Sequence, residues 1–415
     1  MRTGCLQAFL LLVNVLLASA AAAADSGQTA VPAWFPVAPP WPEPTGPVLH
    51  VASVPELYKA AADVPPGGTI LVADGHYRLP RYLDLRTDNV TLRSASGRRE
   101  RVVLDGDGRL GELLGITACS GVTVADLTVQ NVKWNGIKLN TDRGVRRVTI
   151  YNCVIHNVWQ RGLKGVMVPE QNRERLRPAD CRVQYCLFYN DRPKRYEDDE
   201  ADRADNFRGN YIGGMDIMYA QRWTISDNVF LGIRGRSGEG RGAIFLWVDA
   251  QDCVVERNVI LDCDSGICLG NSHRGPGTIT HCTGCVVRNN FVTRCPENGI
   301  LADYTQGCRI LHNTIHDPNS RLKRLIRLVH DNDGLVVANN LLSGPAMRIE
   351  TASDVRIEGN LNRDAGDWFR NADQGDLHLR PEIRQQIPLV PRRDDVDQDF
   401  DRQPRAAQTP VGAAG

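Results

Sequence analysis

An all-β solenoid, wound as a single-stranded right-handed parallel β-helix and closed at its start by a short capping helix, is the fold this sequence predicts. Three observations predict it. Nine segments share one template of short alternating apolar residues. They are VTVADLTV from Val122, VTIYNCVI from Val148, CRVQYCLF from Cys181, WTISDNVF from Trp223, CVVERNVI from Cys253, CVVRNNFV from Cys285, CRILHNTI from Cys308, LVVANNLL from Leu335 and VRIEGNLN from Val355, most with Asn or a small residue in sixth place. Eight of them precede a second short strand: NGIKLN, RGLKGV, GGMDIM, GAIFLW, SGICLG, NGILAD, RLIRLV and PAMRIE. The unit recurs every ~20 to 40 residues, with few helical patterns between, which is how a stacked solenoid reads in sequence.

The chain opens with a leader. Arg2 supplies a positive start, Leu6 to Leu17 an apolar stretch, and Ala18-Ser19-Ala20 small residues suited to cleavage. Residues 1–24 therefore read as a signal peptide, too short for a membrane span, and the mature chain as secreted or periplasmic. Residues 25–47, rich in Pro, Ala and Trp, read as an extended linker.

The solenoid is expected over 48–380. Ser53-Val-Pro-Glu56 has the capping-box pattern and opens an amphipathic helix through Ala62. A solenoid needs such a cap because its first coil exposes core and unpaired edges. Gly67 to Tyr77 starts the sheet, and strands near Val90–Arg93 and Val102–Asp105 complete the first coils. From about Pro381 the chain is charged and patternless, and the reading for 381–415 is a disordered tail.

Asn228, Asn258, Asn290, Asn313, Asn340 and Asn360 occupy one template position. Amides stacked at a coil corner hydrogen-bond along the stack, so this ladder reads as structural. Cysteines also follow the template. Cys263 and Cys295 share a corner, and coils ~4.8 Å apart are within disulfide reach. They are the best disulfide candidates, and a reduced, stacked cysteine ladder is the alternative. Cys282-x-x-Cys285 lacks the second pair that a zinc site needs.

The charge is balanced, with 49 basic and 49 acidic residues. That gives no support to nucleic-acid binding. Function must come from the outer surface of the coils. Aligning the second strands puts Ile137, Leu163, Met215, Ile244, Ile267, Ile300, Ile326 and Met347 in one inward column. The next column faces out: Lys138, Lys164, Asp216, Phe245, Cys268, Leu301, Arg327 and Arg348. Two residues on come Asn140, Val166, Met218, Trp247, Gly270, Asp303, Val329 and Glu350. Phe245 and Trp247 offer an aromatic platform for a sugar ring beside charged and amide groups.

Three inserts lengthen neighbouring coils: Pro169–Asp180, Asp191–Tyr211 and the Gly- and Arg-rich Arg234–Arg241. Inserts in a solenoid project as loops and often build its binding surface. The acidic run Glu197-Asp-Asp-Glu200 with Asp202 and Asp205 reads as a solvated loop or a Ca²⁺ site, although it lacks the ordered ligand spacing of an EF-hand.

Lys164 stands between Lys138 and Asp216. A second cation lowers a lysine's pKa and favours service as a base, whereas the aspartate opposes that shift. The pair is read either as a catalytic base with its orienting carboxylate or as an exposed ion pair of small energetic value. Arg161 and His156 are further candidates for carboxylate binding or proton transfer. Asn271, His273, Asp249, Tyr304, His330 and Asp331 follow later second strands and form one rim.

The stacked template and the opening PGGTILVADGHYR resemble the right-handed β-helix superfamily of polysaccharide lyases, pectin-type hydrolases and alginate epimerases. The lysine-bearing second strands are most similar to the chondroitinase-B and alginate-lyase group. That resemblance implies β-elimination on a uronic-acid polysaccharide. Lys164 would then be the base, with Arg161 or Arg234 assisting and Ca²⁺ neutralising the carboxylate. Lys138 and Asp216 would complete the catalytic set. Trp247, Phe245, Asn140, His156, Arg234, Asn271 and Asp303 would bind substrate. The group's Asn and Glu calcium ligands have no matched positions here, so no metal residue is assigned. The expected partner is an acidic polysaccharide bound by a monomer. A C5-epimerase, a glycoside hydrolase and a non-catalytic carbohydrate-binding protein are the alternatives. A hydrolase needs two carboxyls ~5 to 9.5 Å apart. Asp216 and Asp303 stand three coils, or ~14 Å, apart.

Overall fold

Each template segment folds as two short strands with a sharp corner at its fifth residue. That residue adopts the left-handed conformation in all nine segments: Asp126, Asn152, Tyr185, Asp227, Arg257, Asn289, His312, Asn339 and Gly359. Asn, Asp and Gly dominate this set because their side chains tolerate positive φ best. The sixth residue then turns inward. The computed structural model describes residues 32, 34–275 and 277–414. The proposed leader, residues 1–24, lies outside them. Trp34 and Phe35 meet edge-on in a small N-terminal unit, and a second unit, from Val37 on, holds all the coils.

Three long parallel sheets result. The first has twelve strands, from Val48–Val51 to Arg356–Glu358, and the second eleven, from Gly75–Arg78 to Leu361–Asn362. The third carries the predicted second strands, including Asn135–Asn140, Arg161–Gly165, Gly213–Met218, Gly242–Trp247, Ser265–Leu269, Asn298–Gln306 and Ile326–Asp333. Its registers pair Lys138 with Lys164, Lys164 with Asp216, Asp216 with Phe245, Phe245 with Cys268, Cys268 with Leu301 and Leu301 with Arg327. The outward column is therefore as aligned from sequence. The inward column from Ile137 to Ile326 is fully buried, while Met347, near the open end, is only partly covered. Each buried aliphatic side chain contributes about 1.5–3 kcal/mol. At the corner entering the third sheet, a Cβ on Gly214 would stand 2.5 Å from the Ala243 carbonyl oxygen and 2.6 Å from the Phe230 ring. Only glycine lets that bulky ring fill the interior there.

The cap forms as expected. In the helix Val54–Asp63, Ser53 Oγ accepts from the Glu56 amide (3.4 Å), and the Glu56 carboxylate accepts from the Ala52 amide (2.7 Å). Leu57, Ala60 and Ala61 close the first coil's core.

The amide ladder is continuous. Asn228, Asn258, Asn290, Asn313 and Asn340 each donate from Nδ2 to the next Oδ1 at 2.8–3.0 Å, ending at Asn360.

Two expectations are corrected. Cys263 and Cys295 form no disulfide; both are free thiols, like the other nine described cysteines, all buried. Burial pushes the Cys263 thiol up to about 12, so the ladder packs as small apolar groups. The tail is not disordered. Leu389–Pro391 and Gln408–Pro410 pair as an antiparallel ribbon. Phe400 stacks on Phe291 of the second sheet, 4.1 Å between centroids, and Val396 buries against Val286, Leu311 and Ala338 of the first. Buried Arg405 donates to the Gly412 and Ala413 carbonyls and to Asn289 Oδ1. The tail's apolar residues are spaced irregularly because they cover the outside of the coils instead of continuing them. The segment 37–47 has no helix or strand, and Trp41 lies against Tyr151.

Candidate functional site

The site grows from the register of the third sheet. Lys164 and Asp216 are paired neighbours on adjacent strands, so Lys164 Nζ reaches Asp216 Oδ2 at 2.9 Å. Arg161 begins the Lys164 strand, and its Nε donates to the same oxygen at 2.7 Å. Trp247, one coil further on, donates its indole N–H to Oδ1 at 2.9 Å. Asp216 and Arg161 are each 1% exposed. Burial alone would raise the Asp216 pKa. The Lys164 and Arg161 charges, with their hydrogen bonds, outweigh it and hold the carboxyl at about 2.

This corrects the expectation of an outward column open to solvent. Phe245, Cys268, Leu301 and Val329 form a buried cluster against Trp247. Trp247 lies stacked on Phe245, 5.1 Å between centroids, instead of standing as an open platform. The Lys164–Asp216 pair is likewise no exposed surface pair.

The insert 191–211 packs onto this set. Tyr211 lies under the Arg161 guanidinium, 3.9 Å from ring centroid to Cζ, and Phe207 stacks on Tyr211 at 4.6 Å. The acidic run in this insert divides: Glu197, Glu200 and Asp205 are exposed, as in a solvated loop, whereas Asp198, Asp199 and Asp202 are taken up by internal cations. Asp199 and Asp202 bind fully buried Lys194 at 2.8 and 2.9 Å, and Asp198 takes Arg192. Gln160 and Trp134 also donate to Asp199. These carboxylates are spent on internal cations, as is Asp216. Among the described residues no three His, Cys, Asp or Glu side chains gather as a metal-holding group. The residues present do not fit Ca²⁺ in the role the resemblance implies.

Arg241 was not singled out from sequence. It ends the insert 234–241, immediately before the strand of Phe245, and its guanidinium has no ion pair or side-chain hydrogen bond among the described residues. A Cβ placed on Gly213 would lie 3.5 Å from Arg241 Cβ and 3.8 Å from Arg161 Cδ, so the two arginines run side by side across that glycine. Arg241 is itself exposed, while the protein around it, then the Arg161 charge, push its pKa below the ordinary arginine value. The insert is fixed by buried Asp264, whose Oδ2 accepts from the Gly235 and Gly240 amides at 2.7 and 2.8 Å. The available sequence signal was an arginine just ahead of a glycine-opened strand, as in Arg161-Gly162.

The remaining candidates fall into separate places. Lys138 pairs with Glu112 at 2.8 Å. Asn140 donates to Tyr82 and Thr117. His156 belongs to the second sheet, bonds Asp191 at 2.9 Å and stacks on Tyr189, away from Lys164. Arg234 pairs with Asp262 beside a pocket of about 510 Å³ that Arg294 and Asp317 also line. Asp303 is buried, accepting from Ser272 Oγ and bonded to His330 Nδ1 at 2.8 Å. Asp249 is held by Arg177 at 2.6 Å. Asn271 lines a pocket of about 80 Å³ with Arg241, Phe245 and Cys268.

The fold has several known likenesses. Pectate lyase Pel9A superposes with a TM-score of 0.50 at 12% identity, over 89% of this chain and 96% of that one. An alginate lyase from Paenibacillus sp. str. FPU-7 matches with a TM-score of 0.39 at 11% identity, over 76% and 99%. A lacto-N-biosidase from Eubacterium ramulus gives 0.47 at 12%, over 77% and 68%. At these identities the likeness is one of fold. No curated protein sequence is matched. A family model for the right-handed β-helix region covers residues 113–342 and again 242–368, more than half of the chain between them, and the chain belongs to that family.

Proposed function

We propose that this chain is an exported lyase that cleaves a uronic-acid polysaccharide by β-elimination, working as a monomer. The observation that carries the reading is the free Arg241 guanidinium beside the Arg161–Asp216–Lys164 cluster. Elimination needs a cation on the uronate carboxylate, which acidifies the C5 proton, and a base to remove that proton. Unlike Arg161, Arg241 has no carboxylate partner among the described residues, and a bound uronate would supply one. Lys164 is the base. Asp216 is a positioning residue that fixes Lys164 and Arg161 in one geometry. Lys164 acts from its neutral amine form, having first released its own proton to solvent: Nζ takes the C5 proton, the C4–C5 double bond forms, and the C4–O bond breaks with its electrons passing to the leaving oxygen, which takes a proton from solvent. An epimerase would share the first step and return the proton to the opposite face.

The leader-like segment supports secretion or a periplasmic place. No described helix is long and apolar enough to cross a membrane.

The test is ultraviolet absorbance of the unsaturated uronate, measured on alginate, pectate, chondroitin and dermatan, with Ca²⁺ and with a chelator. Wild type should raise the absorbance on at least one polymer in both conditions, and Lys164→Ala should abolish the rise. No rise on any polymer removes the elimination reading.

A further inference from the structure

One coil beyond Asp216 the outer face of the third sheet changes character. Phe245, Cys268 and Leu301 form an apolar floor, each under 10% exposed. Above it lies the pocket of about 80 Å³, walled by Arg241, Asn271, Glu239 and Glu297. Gly242 keeps it open. A Cβ there would meet Cys268 Sγ at 3.0 Å and the Ile244 carbonyl oxygen at 2.7 Å. Two polar donors face this floor. Among the described residues the Arg241 guanidinium has no partner. Asn271 uses its Oδ1 to accept from the His273 amide at 2.6 Å, which leaves its Nδ2 hydrogens for a ligand. Glu297 is engaged by Arg324, and Glu239 by Asn210 and Ser237.

The pocket holds more than one water, which takes ~30 Å³ of liquid, and it is open to solvent on one side, so a small substituent can enter it while the sugar that carries it stays outside. An apolar floor with donors at the rim suits a group that is a methyl at one end and a carbonyl at the other. We infer that this pocket is an acetyl-recognition subsite: the polysaccharide carries an acetyl substituent whose methyl rests on Phe245, Cys268 and Leu301 and whose carbonyl oxygen accepts from Asn271, while Arg241 keeps the uronate carboxylate. The inference rests on the elimination reading for its substrate class, and it narrows that class to acetylated uronans. The acetyl group belongs either to an O-acetyl ester or to an N-acetylated hexosamine.

The Lys164→Ala protein is titrated calorimetrically with two matched pairs of oligosaccharides. One pair is acetylated pectate before and after mild alkali, which removes O-acetyl esters. The other is chondroitin before and after N-deacetylation. One buried methyl and one hydrogen bond correspond to roughly tenfold in affinity. One acetylated member should therefore bind about tenfold more tightly than its deacetylated partner, and the pair that shows this identifies the source of the acetyl group. In Cys268→Leu, which fills the floor, the ratio should fall to within about twofold. Asn271→Ala, on an exposed loop, should reduce the same ratio without touching the core. Equal binding within both pairs, or no binding by any of the four, overturns the subsite. Elimination by wild type with no acetyl preference overturns the subsite alone, whereas an acetyl preference without any elimination overturns the chemistry alone.

Discussion

The indole of Trp247 and the carboxylate of Asp216 are joined by a 2.9 Å hydrogen bond across adjacent coils, on the oxygen that Arg161 and Lys164 leave free. Arg161, Lys164 and Trp247 are therefore all committed to this buried carboxylate. Asp216→Asn would keep the shape and remove the charge, leaving Arg161 buried opposite a neutral amide. Breaking a buried pair from one side costs about 3–5 kcal/mol. Chemical denaturation of Asp216→Asn should show a loss of that size. Trp247→Phe removes one donor and should cost about 1–3 kcal/mol. Equal costs would mean that Asp216 acts only as a hydrogen-bond acceptor.

The amide ladder gives a graded prediction. Asn290 lies mid-stack. Its Nδ2 donates to the Val255 and Arg288 carbonyls and to Asn313 Oδ1, and its Oδ1 accepts from the Asn258 amide and side chain. Asn360 ends the stack, donating to the Val337 carbonyl and accepting from Asn340. Asn290→Ala leaves several buried backbone groups unpaired at about 1–3 kcal/mol each. Thermal denaturation should place it well below Asn360→Ala, and matching midpoints would remove the ladder as a source of stability.

Much of this was legible in sequence because a solenoid repeats its physics. Inward aliphatic residues, corner asparagines and the Lys164–Asp216 register all recur at fixed template positions, so one coil informs the next. Insert conformation does not recur. Arg241 and Tyr211 reach the site from loops, and their contact with Arg161 depends on how Asp264 and Lys194 fold those loops. Asp198, Asp199 and Asp202 of the acidic run were hidden for the same reason: their neutralising partners, Lys194 and Arg192, are local to the insert and follow no period. Phe400 and Val396 were hidden because their partners, Phe291 and Leu311, lie on the outside of distant coils.

The tail contact should itself be measurable. Phe400 is 3% exposed, stacked on Phe291 and edge-on to His378. Phe400→Ala should cost about 3–5 kcal/mol and should expose the tail to limited proteolysis. A protease pattern and midpoint identical to wild type would return the tail to the disordered state that its sequence suggests.

His378 makes that attachment pH-dependent. Its Nδ1 faces Asp376 at 2.5 Å and its Nε2 faces Asp401 at 3.0 Å, bridging the antiparallel ribbon of Phe369–Asn371 and Asp376–Leu379 to the tail. Burial alone would lower its pKa. The hydrogen bonds and charges of the two carboxylates outweigh it and raise the pKa from 6.5 to about 9. A raised folded-state pKa means that the protonated form binds more tightly in the folded protein. The stabilisation is complete below about pH 6.5 and is lost as pH rises through about 9. Its full size is about 3 kcal/mol. The midpoint difference between wild type and His378→Asn should therefore be largest near pH 6 and vanish near pH 10. A constant difference over that range would show that His378 acts through packing on Phe400 and Phe291, with its charge contributing nothing.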